Sequence, residues 1–154
     1  MLFNSWLDKI ERLKIERPSK EPFKRLDCAE RMYNYEDEFF GEFMSTLTQE
    51  DFITYPSYKE YNDLKQKIAD YIGVESNNVT LGTGSDSCIK DLIQVTCSED
   101  SEIVSSTPCF PMYFVYGDTF GANFVKVPYG SDGTLDLGGF EQAVNEKTRL
   151  VILT

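Results

Sequence analysis

Residues 101–128 read SEIVSSTPCFPMYFVYGDTFGANFVKVP, and this stretch decides the fold. Glu102 to Ser105 and Asn123 to Pro128 are short runs of the β type, and the segment from Pro111 to Phe120 between them reads as a helix. Pro111 suits its first turn, where a missing N–H costs nothing. A strand, a helix and a second strand in that order form a βαβ unit, and the crossover makes its strands parallel. The alternation continues in both directions. Asn78 to Leu81 reads as a strand and Asp86 to Thr96 as a helix upstream, while Leu137 to Asn145 reads as a helix and Leu150 to Leu153 as a strand downstream. The expected class is therefore α/β, a mainly parallel sheet with flanking helices. The closing run, Leu150-Val151-Ile152-Leu153-Thr154, has the uninterrupted apolar character of a central strand buried on both faces. Open α/β sheets bind ligands beyond the carboxyl ends of such strands. A chain ending in mid-sheet is thus expected to be a piece of a longer enzyme.

Upstream of the sheet the pattern is helical. Ser57 followed by Glu60 forms a capping box, Tyr61, Leu64, Ile68 and Ile72 fall three and four apart, and Gly73 stands where a left-handed C-cap belongs. A helix over Lys59 to Ile72 follows. From Glu36 to Leu47 the spacing is also helical, with Phe39, Phe40 and Phe43 on a contact face beneath a charged one. Trp6, Leu7, Ile10 and Leu13 keep a helical period until Pro18 and Pro22 break it, which reads as an arm rather than a core. The organisation expected is 1–54 as arm plus aromatic and acidic helical segment, and 55–154 as the α/β part. No internal repeat or low-complexity tract interrupts it.

Composition narrows the function classes. Hydrophobic residues at 41% suffice for a core in one domain of 154 residues. The formal charge of -11 disfavours nucleic acid and anionic lipid surfaces as partners. No apolar run approaches the roughly 20 residues that a membrane helix needs, and the first 16 residues lack a signal-peptide core, so a cytoplasmic protein without a membrane partner is expected. The absence of histidine removes the commonest metal ligand and neutral-pH base, leaving Lys, Tyr, acids, Cys or a cofactor to do any chemistry. Cys28, Cys88, Cys97 and Cys109 match neither a zinc site nor a Cys-x-x-Cys pair and read as free, mostly buried thiols. No metal site is expected.

Two loops are candidates for chemistry. Thr83-Gly84-Ser85-Asp86-Ser87 opens a helix, where a glycine permits close approach and free N–H groups attract an anion. The same residues also suit plain capping by Ser85 or Asp86. The motif is neither a Walker loop nor a Gly-x-Gly-x-x-Gly fingerprint. Thr107-Pro108-Cys109-Phe110-Pro111-Met112-Tyr113 follows the next strand and fixes Tyr113 either to stack on a flat cofactor or to pack among Phe110 and Phe114. Tyr55-Pro56 holds a phenol on a restrained backbone or forms an ordinary turn. Lys90 and Lys126 read as solvated or stem-packed lysines.

The order Tyr55-Pro56, the helix with Ile68-Ala69-Asp70-Tyr71-Ile72-Gly73-Val74, Val79 to Asp86 and Pro108 to Tyr113 resembles the N-terminal half of the large domain of fold-type I pyridoxal-phosphate aminotransferases. The histidinol-phosphate aminotransferase branch is the closest, and the resemblance runs from about Leu26 to Thr154. It implies amino-group transfer between an amino donor and a 2-oxo acid in a homodimer. Ser85, with Gly84 and Asp86, would hold the phosphate of pyridoxal 5'-phosphate, Tyr113 would stack on its ring, and Tyr55 would reach the phosphate of the neighbouring subunit. The family's substrate-side Asn-Glu-Asn-Pro segment is here Ala29-Glu30-Arg31-Met32, so Glu30 alone carries over as a substrate-binding residue and histidinol phosphate is not assigned. The Schiff-base lysine, the aspartate facing the pyridine nitrogen and the carboxylate-binding arginine are expected beyond position 154. No catalytic residue is therefore assigned within the chain, which is expected to be inactive alone. The rival readings are a decarboxylase or sugar-modifying transaminase of the same fold, and a non-enzymatic α/β interaction domain.

Overall fold

The computed structural model describes residues 4–10, 29–31 and 33–154. They divide into two compact units, one of residues 29–31 and 33–80 and one of residues 4–10 and 81–154. Leu13, Pro18, Pro22, Cys28 and Met32, which the sequence reading uses, lie outside the described residues.

The first unit is helical. It holds α1 (Asp37–Thr46), α2 (Glu50–Ile53), α3 (Tyr58–Ile72) and a 3-10 turn at Ser76–Asn78. α3 starts where its capping box requires. The Ser57 N–H donates to Glu60 Oε2 at 2.7 Å, and the Glu60 N–H donates back to Ser57 Oγ at 3.3 Å. It ends at Gly73, whose φ of +76° suits a residue without Cβ and whose N–H donates to the Ala69 carbonyl at 2.8 Å. Bonds from the Ser57 hydroxyl and then its N–H hold the Glu60 carboxyl below its ordinary value of 4.5. A carboxyl lowered on folding stabilises above its ordinary range, and that contribution disappears as pH falls through the folded value. Ser57→Ala is expected to cost about 1 kcal/mol at neutral pH. Urea titrations should show the wild type losing more stability on acidification than the variant; equal losses would mean that the box contributes nothing.

The second unit is the α/β part. After a 3-10 turn at Ser5–Lys9 come α4 (Gly84–Thr96), β1 (Glu102–Thr107), α5 (Met112–Thr119), β2 (Asn123–Pro128), α6 (Leu137–Ala143) and β3 (Thr148–Ile152). The three strands are parallel in the order β2-β1-β3, with Ile103 opposite Phe124 and Leu150. β1 is buried on both faces because each face has its own helical cover. Ile103 packs with Ile93, Cys97 and Ala122 on the side of α4 and α5, while Val104 packs with Val127 and Phe140 on the side of α6. α5 lies close to the sheet at Gly117, where an added Cβ would stand 3.1 Å from Phe124 and 3.3 Å from Ile103.

Four expectations change. Asn78 to Leu81 is not a strand among the described elements: Ser76–Asn78 is a 3-10 turn, and Val79 to Leu81 follow it outside the three-stranded sheet. An apolar extended run becomes a strand only where neighbouring backbone groups pair with it. Among the described residues the closing strand pairs with β1 and ends this three-stranded sheet. β1 takes the central place, and of β3 only the Leu150 and Ile152 side meets the core, while Val151 is 43% exposed. Among the described residues the thiols are mixed rather than mostly buried, with Cys97 buried, Cys109 half-buried and Cys88 exposed. Their spacing carries no burial signal. Trp6, read as part of an arm, is half-buried: its Nε1–H donates to the Thr119 carbonyl at 3.2 Å and its ring faces Gly121. A large ring with one polar edge is more stable docked than solvated.

Candidate functional site

Two helices begin at the same edge of the sheet. The C-terminal half of α4, with Ile93 and the Cys97 that caps it, packs near the start of β1, so its N-terminus rises toward the carboxyl edge of the strands. α5 begins only a few residues after β1 ends, with a cis peptide at Thr107–Pro108 in the connection. This edge is where open α/β sheets bind their ligands.

At the start of α4 the expected cap is not made. The N-cap residue is Thr83, and its side chain bonds to no helical N–H. Gly84 is the first helical residue, at φ +83°, and a Cβ built on it would meet nothing within 4 Å. Ser85 is exposed. Asp86 does not turn into the first turn; its Oδ2 accepts a hydrogen bond from the Tyr116 hydroxyl at 2.8 Å. The alternative of simple capping by Ser85 or Asp86 is thereby set aside. What remains is a helix start with room in front of it, where the Gly84 N–H donates to the Gly82 carbonyl at 3.0 Å and the next N–H groups, of Ser85 and Asp86, are placed to attract an anion.

Tyr113 is the second residue of α5 and is half-buried, its ring edge-on to Phe110 at 5.7 Å. Tyr116 lies one turn further on, on the same face of the helix. The Tyr116–Asp86 bond therefore ties the face that carries Tyr113 to the start of α4. Sequence reasoning missed Tyr116; its spacing of three from Tyr113 was the available signal. A hydroxyl cluster at the carboxyl edge was also missed: Ser106 Oγ is 2.9 Å from Thr154 Oγ1, and the Tyr129 hydroxyl donates to Ser106 Oγ at 3.1 Å.

Tyr55 and Glu30 belong to the helical unit. Tyr55 is 98% exposed and precedes Pro56, and Glu30 is exposed. Beside Glu30, the Arg31 guanidinium lies 4.2 Å from the Tyr35 ring centroid. Lys126 places its ammonium 4.7 Å from the centre of the Phe114 ring, and Lys90 is exposed on α4, so both match the packed or solvated roles expected of them. Among the described residues no group of acids or cysteines is arranged to hold a metal, and no helix is long and apolar enough to cross a membrane.

The sequence profile of aminotransferase class I and II matches residues 31–154. The chain belongs to this family. A histidinol-phosphate aminotransferase of Akkermansia muciniphila is 37% identical over 91 residues, which cover 59% of this chain and 25% of the relative. An aromatic amino acid aminotransferase of Corynebacterium glutamicum is 31% identical over 91 residues, covering 59% and 27% respectively. The crystal structure of histidinol-phosphate aminotransferase from Sinorhizobium meliloti in complex with pyridoxal-5'-phosphate superposes with a TM-score of 0.56 at 27% identity. That match covers 64% of this chain and 26% of the other. The chain spans about a quarter of the length of these curated relatives. The α/β class read from the alternation of strands and helices is the fold of these neighbours.

Proposed function

We propose that the protein acts, together with sequence outside residues 1–154, as a pyridoxal-phosphate aminotransferase that moves an amino group between an amino acid and a 2-oxo acid. The observation that carries this reading is the uncapped start of α4, with Gly84 opening space in front of it, in a chain of the aminotransferase family. The fit to the cofactor is chemical. A phosphate dianion needs hydrogen-bond donors and positive potential without bulk positive charge, and a helix N-terminus supplies both on a protein of net charge -11. The cofactor, when bound, supplies the electron sink for amino-group chemistry.

In this reading the N–H groups of Ser85 and Asp86 and the Ser85 hydroxyl donate to phosphate oxygens, and Gly84 lets the oxygens approach. Tyr113 orients the ring by stacking. Tyr55 donates its phenol to the phosphate held by the partner subunit of a homodimer, and Glu30 contacts the substrate. The lysine that binds the cofactor covalently is supplied outside residues 1–154, and the 154-residue chain by itself is inactive. A cytoplasmic location accompanies the reading.

The test is binding and turnover by the protein expressed from its uninterrupted reading frame. It is expected to bind pyridoxal 5'-phosphate at least about tenfold more tightly than pyridoxal, as loss of one charge-assisted hydrogen-bonded group predicts. It is also expected to transfer amino groups from an amino acid to a 2-oxo acid. Equal affinity for the two vitamers, or release of carbon dioxide without need of an acceptor, would overturn it.

A further inference from the structure

The third residue of a helix is the usual place for an acid that reaches back to the N-cap N–H. Glu60 does this in α3, bonding the Ser57 N–H at 2.7 Å. Asp86 occupies the same place in α4, after Thr83, Gly84 and Ser85, and does not do it. Its carboxylate instead accepts the Tyr116 hydroxyl at 2.8 Å. Tyr116 reaches it from a firm base, since its ring packs against the cluster of Ile93, Cys97, Ile103 and Ala122. A carboxylate turned back toward the N-cap would place a negative charge beside the N–H groups that a phosphate needs and would repel the dianion.

We propose that Tyr116 is a positioning residue that holds the Asp86 carboxylate away from the start of α4 and so keeps its N–H groups open to a phosphate. This deepens the reading above and rests on it. Asp86 then serves the anion through its N–H while its side chain is turned aside. The Tyr116 hydroxyl thereby acts on cofactor affinity without touching the cofactor.

Tyr116→Phe keeps the ring and its packing and removes only the hydroxyl. In the protein expressed from its uninterrupted reading frame, the variant is expected to bind pyridoxal 5'-phosphate and inorganic phosphate roughly tenfold more weakly, about the effect of losing one charge-assisted hydrogen bond. Pyridoxal, which lacks the phosphate, should bind as before. Adding Asp86→Asn removes the competing charge and should restore the affinity for phosphate-bearing ligands, an outcome that a packing role for Tyr116 does not produce. If the wild type fails to favour pyridoxal 5'-phosphate over pyridoxal, the phosphate reading of α4 falls and this inference with it. If the wild type discriminates but Tyr116→Phe binds both phosphate ligands as tightly, or the double variant stays as weak as the single one, the positioning role is overturned while the phosphate reading stands.

Discussion

Ile103→Ala is expected to lower the unfolding free energy by about 2–5 kcal/mol, read as a fall in the urea midpoint at unchanged slope. Ile103 is fully buried on β1, in the cluster where Ile93 of α4 and the following Cys97 meet Ala122. Its side chain also faces Gly117, the residue that lets α5 lie close to the sheet. Truncation leaves a cavity that the neighbours fill poorly, because Phe124 and Leu150 flank it on the adjoining strands and Gly117 of α5 has no side chain to move into it. Against a typical domain stability of about 5–15 kcal/mol, this is a large fraction. If the variant unfolds at the wild-type urea concentration, β1 is not the centre of the core.

What the residues disclose depends on how local the cause is. The capping box of α3 and the left-handed Gly73 were legible because their determinants sit within a few residues of each other. Asn123–Pro128 was legible to the residue because glycine before it and a turn after it bound the run. β3 is legible as a strand because four consecutive apolar residues report hydrophobicity, whereas its neighbours in the sheet depend on residues far away in the sequence. Asn78 to Leu81 failed for the same reason, since pairing is a non-local property. At the site, Gly84 and Tyr113 were marked by glycine and proline chemistry in the chain itself. The bond from Tyr116 to Asp86 spans 30 positions and no local pattern announces it.

Gly84→Val is expected to act on stability and on ligand affinity by separate routes. A β-branched residue at φ +83° adopts a left-handed conformation that costs about 1–2 kcal/mol for an L side chain, so the urea midpoint should fall. The second effect does not depend on strain. Nothing lies within 4 Å of a Cβ built on Gly84, so a valine there fills the space ahead of the helix start rather than displacing any neighbour. A phosphate denied that space loses one or more charge-assisted hydrogen bonds of about 1.5–3 kcal/mol each, which predicts a roughly 10- to 100-fold weaker affinity for pyridoxal 5'-phosphate. Gly84→Ala separates the two routes. It carries most of the backbone strain and little of the bulk, so its stability should resemble that of the valine variant while its affinity stays nearer the wild type. A valine variant that is destabilised but binds the cofactor as the wild type does would place the phosphate somewhere other than the start of α4. In that case the uncapped first turn, the open space at Gly84 and the outward-turned carboxylate of Asp86 would share no ligand.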